Sequence, residues 1–270
     1  MPVYRQVMVA SDLSARCDRA VDRGVLLARA WNSKVSIAHI LSEDASDSTI
    51  MEEKVRAVLP DPGMDARILF GRGSVPETLQ ELANETEADL ILTGVARYNS
   101  PGDFLLGTAV DHIIRRSDIP VLIVKKRPHR PYRNILVATD LSNCSRAALL
   151  RAADLFPQAA LHLIHAYHVP FEAWLDSPDM RAEVSRTAEA DLETFLAHAA
   201  LDPIAGRIEA RIGYGETERV VGDRLKETDA DLLVMGTHGH SGFVHATLGS
   251  MAESILSWAD VDTLMVRDRR

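Results

Sequence analysis

The chain has little of what would assign it to a specialised class of protein. It has two cysteines, Cys17 and Cys144, which are too few for a disulfide framework. No uncharged apolar run approaches the roughly 18 residues that a membrane-spanning helix needs. The first residues lead into a strand-like pattern, without the basic and apolar segments that mark a secretion signal. We therefore expect a cytosolic protein that does not act at a membrane.

Several catalytic and nucleotide-binding signatures are also missing. There is no Gly-x4-Gly-Lys-Ser/Thr phosphate loop, and the glycine pairs at 71/73 and 213/215 lack the third glycine of a dinucleotide fingerprint. No Gly-x-Ser-x-Gly elbow occurs, and neither cysteine lies in a motif that marks a nucleophile. A formal net charge of −9 argues against a general nucleic-acid binder. These absences favour binding over turnover, and no catalytic residue is predicted.

What the chain does contain is a pattern that occurs twice. Short aliphatic segments without polar alternation are separated by segments with helical spacing of apolar residues, which is typical of parallel strands covered by helices on both faces. We predict an α/β fold of two tandem doubly wound (Rossmann-like) parallel five-stranded sheets flanked by helices. The recurring segments are 7–14 and 135–142, 35–40 and 161–166, 87–94 and 229–236, and 119–124 and 261–266.

Residues 125–133 separate the two copies. Two prolines and five basic residues make this stretch a poor helix or strand, so the predicted domains are 1–127 and 128–270. Its charge could indicate an anionic partner, but a solvated linker is the favoured interpretation. The second copy is longer between its second and third strands. The added residues, which include Phe171 and Trp174, are expected to extend a helix and the loop before it.

Residues 235–250 carry the most specific functional signal. Gly236, Gly239, Gly249 and Ser250 follow a Gly-2x-Gly-9x-Gly-Ser spacing between a predicted strand and a predicted helix. Glycines let backbone N–H groups approach a ligand closely, and the helix N-terminus adds a favourable field for an anion. Together these features predict a phosphate-binding loop.

Two polar residues near this loop each have two interpretations. Asp140 ends the first strand of the second copy, where a carboxylate can accept hydrogen bonds from ribose hydroxyls or hold a metal through water. It could equally help Ser142 to begin the following helix. Ser250 and Glu253 form a capping-box pattern, so Ser250 could serve as a helix cap, as a phosphate ligand, or as both.

The first copy departs from the glycine pattern. Gly94 and Gly107 match Gly236 and Gly249, but Arg97 stands where the second copy has Gly239. A side chain there is expected to block close backbone approach and to disfavour a positive φ. We therefore predict loss of nucleotide binding in the first copy, with an anion-binding role for Arg97 as the alternative.

Histidines are frequent in the second copy. His238 and His240 could bind zinc together with Asp140. Polar loop residues close to an anion site are the favoured interpretation. The histidines of segment 161–168 alternate between the faces of a strand and are not expected to converge on one ion.

The glycine spacing, in its strand–loop–helix context, resembles the nucleotide motif of the universal stress protein family. The resemblance covers nearly the whole chain as two tandem domains, with the complete motif in the second. It implies a stress-response protein that binds ATP, ADP or AMP mainly in its C-terminal domain, with Mg²⁺ as a candidate ion at Asp140. The residues that the resemblance assigns to the nucleotide are Ala138, Thr139, Asp140, Ala166, Met235, Gly236, His238, Gly239, Gly249, Ser250, Met251 and Ala252.

The same resemblance implies that segments 121–124 and 263–266 pair the two domains as an intramolecular pseudo-dimer. Such aliphatic edge strands need cover. A homodimer is a further expectation. Two rival functions remain open at this stage: a slow Mg²⁺-dependent nucleotide hydrolase that uses Asp140, and an interaction scaffold that binds no nucleotide.

Overall fold

A computed structural model describes residues 5–14, 17–41, 48–95, 97–100, 103–105, 108–168, 178–239 and 248–268. The chain divides into two compact units. The first comprises Met1–Pro131 and Leu256–Arg267, and the second comprises Tyr132–Ile255 and Asp268–Arg270. The division into domains 1–127 and 128–270 stays a prediction, and the compact units differ from it by grouping residues 256–267 with the N-terminal half.

Strands and helices alternate along most of the described chain. The strands are β1 (Val7–Ala10), β2 (Val35–Leu41), β3 (Ala66–Arg72), β4 (Leu90–Thr93), β5 (Arg97–Ser100), β6 (Asp103–Leu105), β7 (Val121–Ile123), β8 (Asn134–Ala138), β9 (Ala160–Tyr167), β10 (Ile208–Tyr214), β11 (Leu232–Gly236) and β12 (Asp262–Val266). The α-helices are α1 (Asp18–Ala30), α2 (Ser48–Ala57), α3 (Val75–Glu85), α4 (Thr108–Arg116), α5 (Asn143–Leu155), α6 (Pro178–Leu196), α7 (Thr217–Glu227) and α8 (Ser250–Trp258). A 3₁₀ segment spans Ala199–Arg207.

The first unit contains the five predicted parallel strands of the first copy, in the order β7-β4-β1-β2-β3. Strand β12, from the other end of the chain, lies antiparallel beside β7, with Leu264 opposite Leu122. The pseudo-dimer itself stays a prediction. The first unit also contains a small hairpin that the sequence did not predict, in which β5 pairs with β6 and Arg97 lies opposite Leu105.

The second unit contains four parallel strands in the order β10-β9-β8-β11. Strand order reverses between β8 and β11, because the chain first builds outward through β9 and β10 and then returns to the other side of β8. This reversal is the topological feature at which doubly wound folds bind ligands. The predicted α/β class with mostly parallel strands is confirmed.

Strands in both units are buried on both faces. In β4, Leu90, Ile91 and Leu92 have 0% exposure, and Leu232 and Leu233 of β11 are equally inaccessible. Helices cover both faces of these strands, which explains why their sequences are continuously aliphatic. Burial of each such side chain contributes about 1.5–3 kcal/mol, so these strands form a rigid base for the loops at their ends.

The prediction of a solvated linker at residues 125–133 is wrong for Lys125. Its side chain is 1% exposed, and its ammonium group donates to the carbonyl oxygens of Leu256 and Ala259, each at 2.7 Å. These two oxygens accept hydrogen bonds from the side-chain nitrogen, which explains how a lysine can be buried here. The basic pattern of the stretch did not distinguish this lysine from its exposed neighbour, Lys126.

The added length of the second copy forms a longer helix, as predicted. Helix α6 has 19 residues where α2 of the first copy has 10. Phe171 and Trp174, expected in the loop before it, lie outside the described residues. Within the described parts of the chain, no helix is both long and apolar enough to span a bilayer.

Candidate functional site

A cavity of about 280 Å³ lies at the carboxyl ends of β8, β9 and β11 in the second unit. The first turns of α7 and α8 form part of its wall. We call it the second cavity. The structure brings all the predicted site residues to its lining: Ala138, Thr139, Asp140, Ala166, Met235, Gly236, His238, Gly239, Gly249, Ser250, Met251 and Ala252.

The second cavity also contains residues that the sequence did not single out. Those on α7 carry no local motif, and they reach the cavity only because α7 packs beside β9. For one of them the duplication gives a sequence signal: His165 recurs as His39 in the first copy, which could have indicated it as a site residue. The additional lining residues are Ser145, Ile164, His165, Thr217, Val221, Thr237 and Ile255.

The turn after β8 fixes the carboxylate of Asp140 in the cavity wall. Asp140 Oδ1 accepts a hydrogen bond from the backbone N–H of Ser142 at 3.1 Å, and Thr139 Oγ1 accepts one from the N–H of Leu141 at 2.9 Å. Leu141 has a φ of 66°, a conformation that costs a non-glycine residue of order 1–3 kcal/mol. Ser142 caps α5 by accepting from Ser145 N–H. Asp140 thus supports the turn that starts α5 while it also lines the cavity.

His165 is held by the same strand end. Its Nδ1 lies 3.0 Å from the carbonyl oxygen of Thr139. A carbonyl can only accept, so Nδ1 carries the proton, and in a neutral ring Nε2 is then an acceptor. His162 instead lies 3.0 Å from Glu209 and does not line the cavity. Neighbouring histidines of β9 therefore have separate roles, in agreement with the predicted alternation.

Gly236 and Gly239 are needed for different steric reasons. A Cβ atom at position 236 would lie 2.9 Å from the sulfur of Cys144 and 3.2 Å from the backbone N of Ser145, so this glycine lets α5 approach β11. A Cβ at position 239 would lie 2.6 Å from Asp140 Oδ2. The expectation of a positive φ at Gly239 is wrong. Among the described glycines, a positive φ occurs at Gly73 and Gly215 and not at Gly239.

Of the two interpretations of Ser250, the helix cap is wrong. The carbonyl oxygen of Gly249 accepts the first helical hydrogen bond of α8, from Glu253 N–H at 2.9 Å. Gly249 is therefore the N-cap, and Ser250 is the first residue inside the helix. Gly249 N–H also donates to the carbonyl oxygen of Thr237 at 3.0 Å, which joins the two ends of the glycine loop. The start of α8 thus faces the cavity with N–H groups that have no partner within the helix.

The glycine loop places one histidine at the cavity. His238 Nδ1 lies 2.8 Å from Thr237 Oγ1, and both residues line the cavity. His240, the other proposed zinc ligand, lies outside the described residues. Across the ranges given above, no group of three or more histidine, cysteine or acidic side chains is arranged to hold a metal ion.

The first unit contains a corresponding cavity of about 420 Å³ at the ends of β1, β2 and β4. We call it the first cavity. Asp12 Oδ1 accepts from Ser14 N–H at 2.9 Å, and Leu13 has a φ of 60°, as in the turn after β8. Cys17 donates from its thiol to Asp12 Oδ1 at 3.0 Å. Burial is the main cause that raises the pKa of the Cys17 thiol to about 11, so the thiol is neutral.

The glycine loop of the first unit is described only in part. Gly94 lines the first cavity, and the backbone of Arg97 lies in β5. Gly107 and Pro101 lie outside the described residues. Loss of nucleotide binding in this unit stays a prediction.

The sequence profile of the universal stress protein family matches residues 3–61, 51–125 and 131–267. The chain belongs to the universal stress protein family. A universal stress protein of Mycobacterium tuberculosis is 25% identical over 297 aligned positions, which cover 97% of this chain and 96% of that protein. Universal stress protein G of Salmonella typhimurium is 31% identical over 146 positions, which cover 50% of this chain and 99% of that protein. A universal stress protein from Archaeoglobus fulgidus has a similar structure, with a TM-score of 0.70 at 18% identity, covering 98% of this chain and 99% of its own.

This universal stress protein therefore consists of tandem family repeats. The Salmonella protein matches half of the chain over nearly its whole length, whereas the Mycobacterium protein matches the chain from end to end. The similarity to the Archaeoglobus structure supports the fold of the whole chain. The ligand is therefore inferred from the residues that line the second cavity.

Proposed function

We propose that this universal stress protein binds an adenine nucleotide, ATP or its ADP and AMP relatives, in the second cavity. One observation carries the proposal: the N-terminus of α8 and the carboxylate of Asp140 both line a single cavity at the strand ends. A ligand that satisfies both must present an anion to the helix and hydroxyl donors to the carboxylate. A nucleotide has both groups.

Each part of the nucleotide has a corresponding part of the wall. Phosphates suit the first turn of α8, where residues 250–252 line the cavity and unpaired N–H groups carry partial positive charge. A carboxylate would repel phosphate, so Asp140 suits the ribose hydroxyls. The base would then pack against the apolar side of the cavity, which is formed by Ile164, Ala166 and Val221. These assignments follow from charge and polarity.

Mg²⁺ fits this arrangement as a companion of the phosphates. Asp140 is the only acidic side chain among the described residues that line the second cavity. One carboxylate together with phosphate oxygens and water is a usual environment for Mg²⁺. Asp140 would reach the ion through a bridging water while its carboxylate binds the ribose hydroxyls, and the ion would neutralise part of the phosphate charge.

The proposed cellular role is that of a cytoplasmic stress-response protein whose ligand is an adenine nucleotide. Binding is favoured over hydrolysis because the groups assigned here to the second cavity serve to hold a ligand. The stress and the protein partners are matters for cellular experiments.

The proposal is tested by titrating ATP into the purified full-length protein by calorimetry, with Asp140→Asn and Asp12→Asn as matched variants. Asparagine keeps the Oδ1 acceptor that supports the turn and removes the charge. We expect one ATP per chain in the wild type, affinity about tenfold lower in Asp140→Asn, and little change in Asp12→Asn, since a charge-assisted hydrogen bond contributes roughly 1.5–3 kcal/mol.

Two equivalent ATP sites per chain, or an Asp140→Asn variant that binds as the wild type does, would contradict the proposal. Mass spectrometry of nucleotide released from the denatured protein separates a nucleotide binder from a scaffold. Product formation in single-turnover reactions with Mg²⁺ separates a binder from a slow hydrolase.

A further inference from the structure

We propose that the first cavity is a second ligand site, which takes an uncharged nucleoside and rejects its phosphorylated forms. The inference rests on the proposed function, because it uses the assignment of the strand-end carboxylate to ribose hydroxyls. The two cavities are alike on the side of the carboxylate and differ on the side that faces the phosphates.

The carboxylate side is alike in both cavities. In the first, His39 Nδ1 lies 2.8 Å from the carbonyl oxygen of Ser11, and Asp12 Oδ1 accepts from Ser14 N–H at 2.9 Å. The corresponding distances in the second cavity are 3.0 and 3.1 Å. Both turns also contain a leucine at positive φ. The first unit thus retains the strained turn and the oriented imidazole that hold the hydroxyl-binding side in place.

The side that faces the phosphates differs. Directly after the glycine that ends the central strand, the second cavity has Thr237 and the first has Val95, which is 3% exposed. Two residues further on, the second unit has Gly239, whereas in the first unit Arg97 enters β5 and lies opposite Leu105 in the hairpin. Alternate residues of an antiparallel strand pair direct their N–H groups to the partner strand, so this segment has fewer N–H donors available for an anion than a loop has.

Two further substitutions make the first cavity less polar. Val75 stands at the position of Thr217, at the start of the equivalent helix, and Cys17 stands at the position of Ser145. With its pKa near 11, the Cys17 thiol stays neutral and donates to Asp12. The exchanges replace hydroxyl groups by apolar groups or a weaker donor, as suits a ligand with fewer polar groups.

The charges that line the first cavity also favour an uncharged ligand. Asp12 is the only acidic side chain, and no lysine or arginine is found, among the described residues that line the first cavity. A phosphate close to Asp12 would be repelled by its carboxylate, and the repulsion grows where water is excluded from the cavity. The described residues of α4 in the wall are Val110 and Ile113, whose apolar side chains supply no cationic group to offset that repulsion. An uncharged ligand avoids this cost, and the larger volume of 420 Å³ leaves room for it.

The test uses the full-length protein, adenosine and ATP as probes, and a matched pair of variants. Val75→Trp fills the mouth of the first cavity, and Thr217→Trp fills the equivalent place in the second. Val75 is 41% exposed, so a larger side chain can be accommodated at that helix start. Circular dichroism and thermal melting confirm that each variant is folded, and Gly239→Arg is a second means of closing the second cavity.

We expect Thr217→Trp to bind one adenosine per chain and to bind ATP at least tenfold more weakly than adenosine. Val75→Trp should retain ATP binding and lose one adenosine site. Asp12→Asn, added to Thr217→Trp, should weaken adenosine further. The inference is overturned if Thr217→Trp and Gly239→Arg bind no adenosine, if they bind ATP as well as adenosine, or if Val75→Trp leaves adenosine stoichiometry unchanged. Lack of ATP binding in the wild type would count against the proposed function instead.

Discussion

Lys125 lies in an environment that its sequence context does not predict. It lies in a basic stretch, yet it is buried against the last turn of α8 and the start of β12, with its backbone N–H donating to Asp262 Oδ1 at 2.8 Å. Asp262 is also paired with Arg23 at 3.2 Å, and both side chains are almost inaccessible. Burial lowers the pKa of Lys125 from 10.5 to about 7, while the carboxylates of Asp262 and Asp260 oppose the shift.

This lowered pKa predicts that stability depends on pH. Between pH 7 and 10.5 the unfolded lysine holds a proton that the folded one has lost, so raising the pH across this window stabilises the folded protein. The contribution is at most about 1.4 kcal/mol per pH unit. We expect urea unfolding at pH 7, 8 and 9 to show a more positive slope of stability against pH in the wild type than in Lys125→Met. Equal slopes would show that Lys125 stays charged in the folded protein.

Two glycines of the nucleotide loop should respond differently to the same small change. Gly239→Ala places a Cβ 2.6 Å from Asp140 Oδ2 and must displace the carboxylate, whereas Gly249→Ala places one 3.7 Å from the nearest atom, the Thr237 carbonyl oxygen. We expect ATP affinity to fall about tenfold or more in Gly239→Ala, equivalent to about 1.4 kcal/mol, and much less in Gly249→Ala. Calorimetric titration measures both, and the reverse order would contradict this account of the loop.

At the scale of secondary-structure elements, the local pattern of apolar residues predicted well where elements form and whether each is a helix or a strand. Helical spacing of apolar residues over 144–156 and 216–228 predicts two helices, and the structure has α5 (Asn143–Leu155) and α7 (Thr217–Glu227) there. Apolar spacing fixes such helices because one face must pack against the sheet. The start of α8 was predicted less well. The Ser250/Glu253 pattern fits a capping box, but the contact between Gly249 and Thr237 sets the helix start one residue earlier.

Gly213 belongs to a glycine pair that lacks the third glycine of a dinucleotide fingerprint, but in the structure it has a packing role between β10 and α7. A Cβ at Gly213 would lie 2.3 Å from Cγ1 of Val220, so this glycine lets α7 pack closely on β10. We expect Gly213→Ala to lower the free energy of unfolding by about 1–3 kcal/mol through overpacking. Gly206→Ala, where a Cβ meets nothing within 4 Å, is the matched control. Urea unfolding of both variants measures the difference, and equal stabilities would refute the packing argument.

At the scale of the whole molecule, the duplication made most of the fold and the site predictable. Residues at the strand ends, such as Asp140 and Gly236, were found because strand order alone brings them together. Thr217 and Val221 were missed because only the packing of α7 brings them to residues that are distant in sequence. The β5–β6 hairpin was missed because its short strands lack an aliphatic run.

The last strand of the chain gives a prediction about the molecule as a whole. Strand β12 pairs antiparallel with β7, where Thr263, Leu264 and Met265 lie opposite Ile123, Leu122 and Val121. A fragment of residues 128–270 lacks β7, so the N–H and C=O groups along that edge lose their partners beside an aliphatic strand. Antiparallel pairing of β12 with its copy would replace them.

We expect this fragment, once shown to be folded by circular dichroism, to sediment as a dimer at tens of micromolar. A synthetic peptide of residues 117–127 carries β7 and should convert the dimer into a one-to-one complex, whereas a scrambled peptide of the same composition should not. A folded fragment that stays monomeric without the peptide would show that the edge of β12 needs no partner, and the expected pairing of the repeats through these strands would then lose its physical basis.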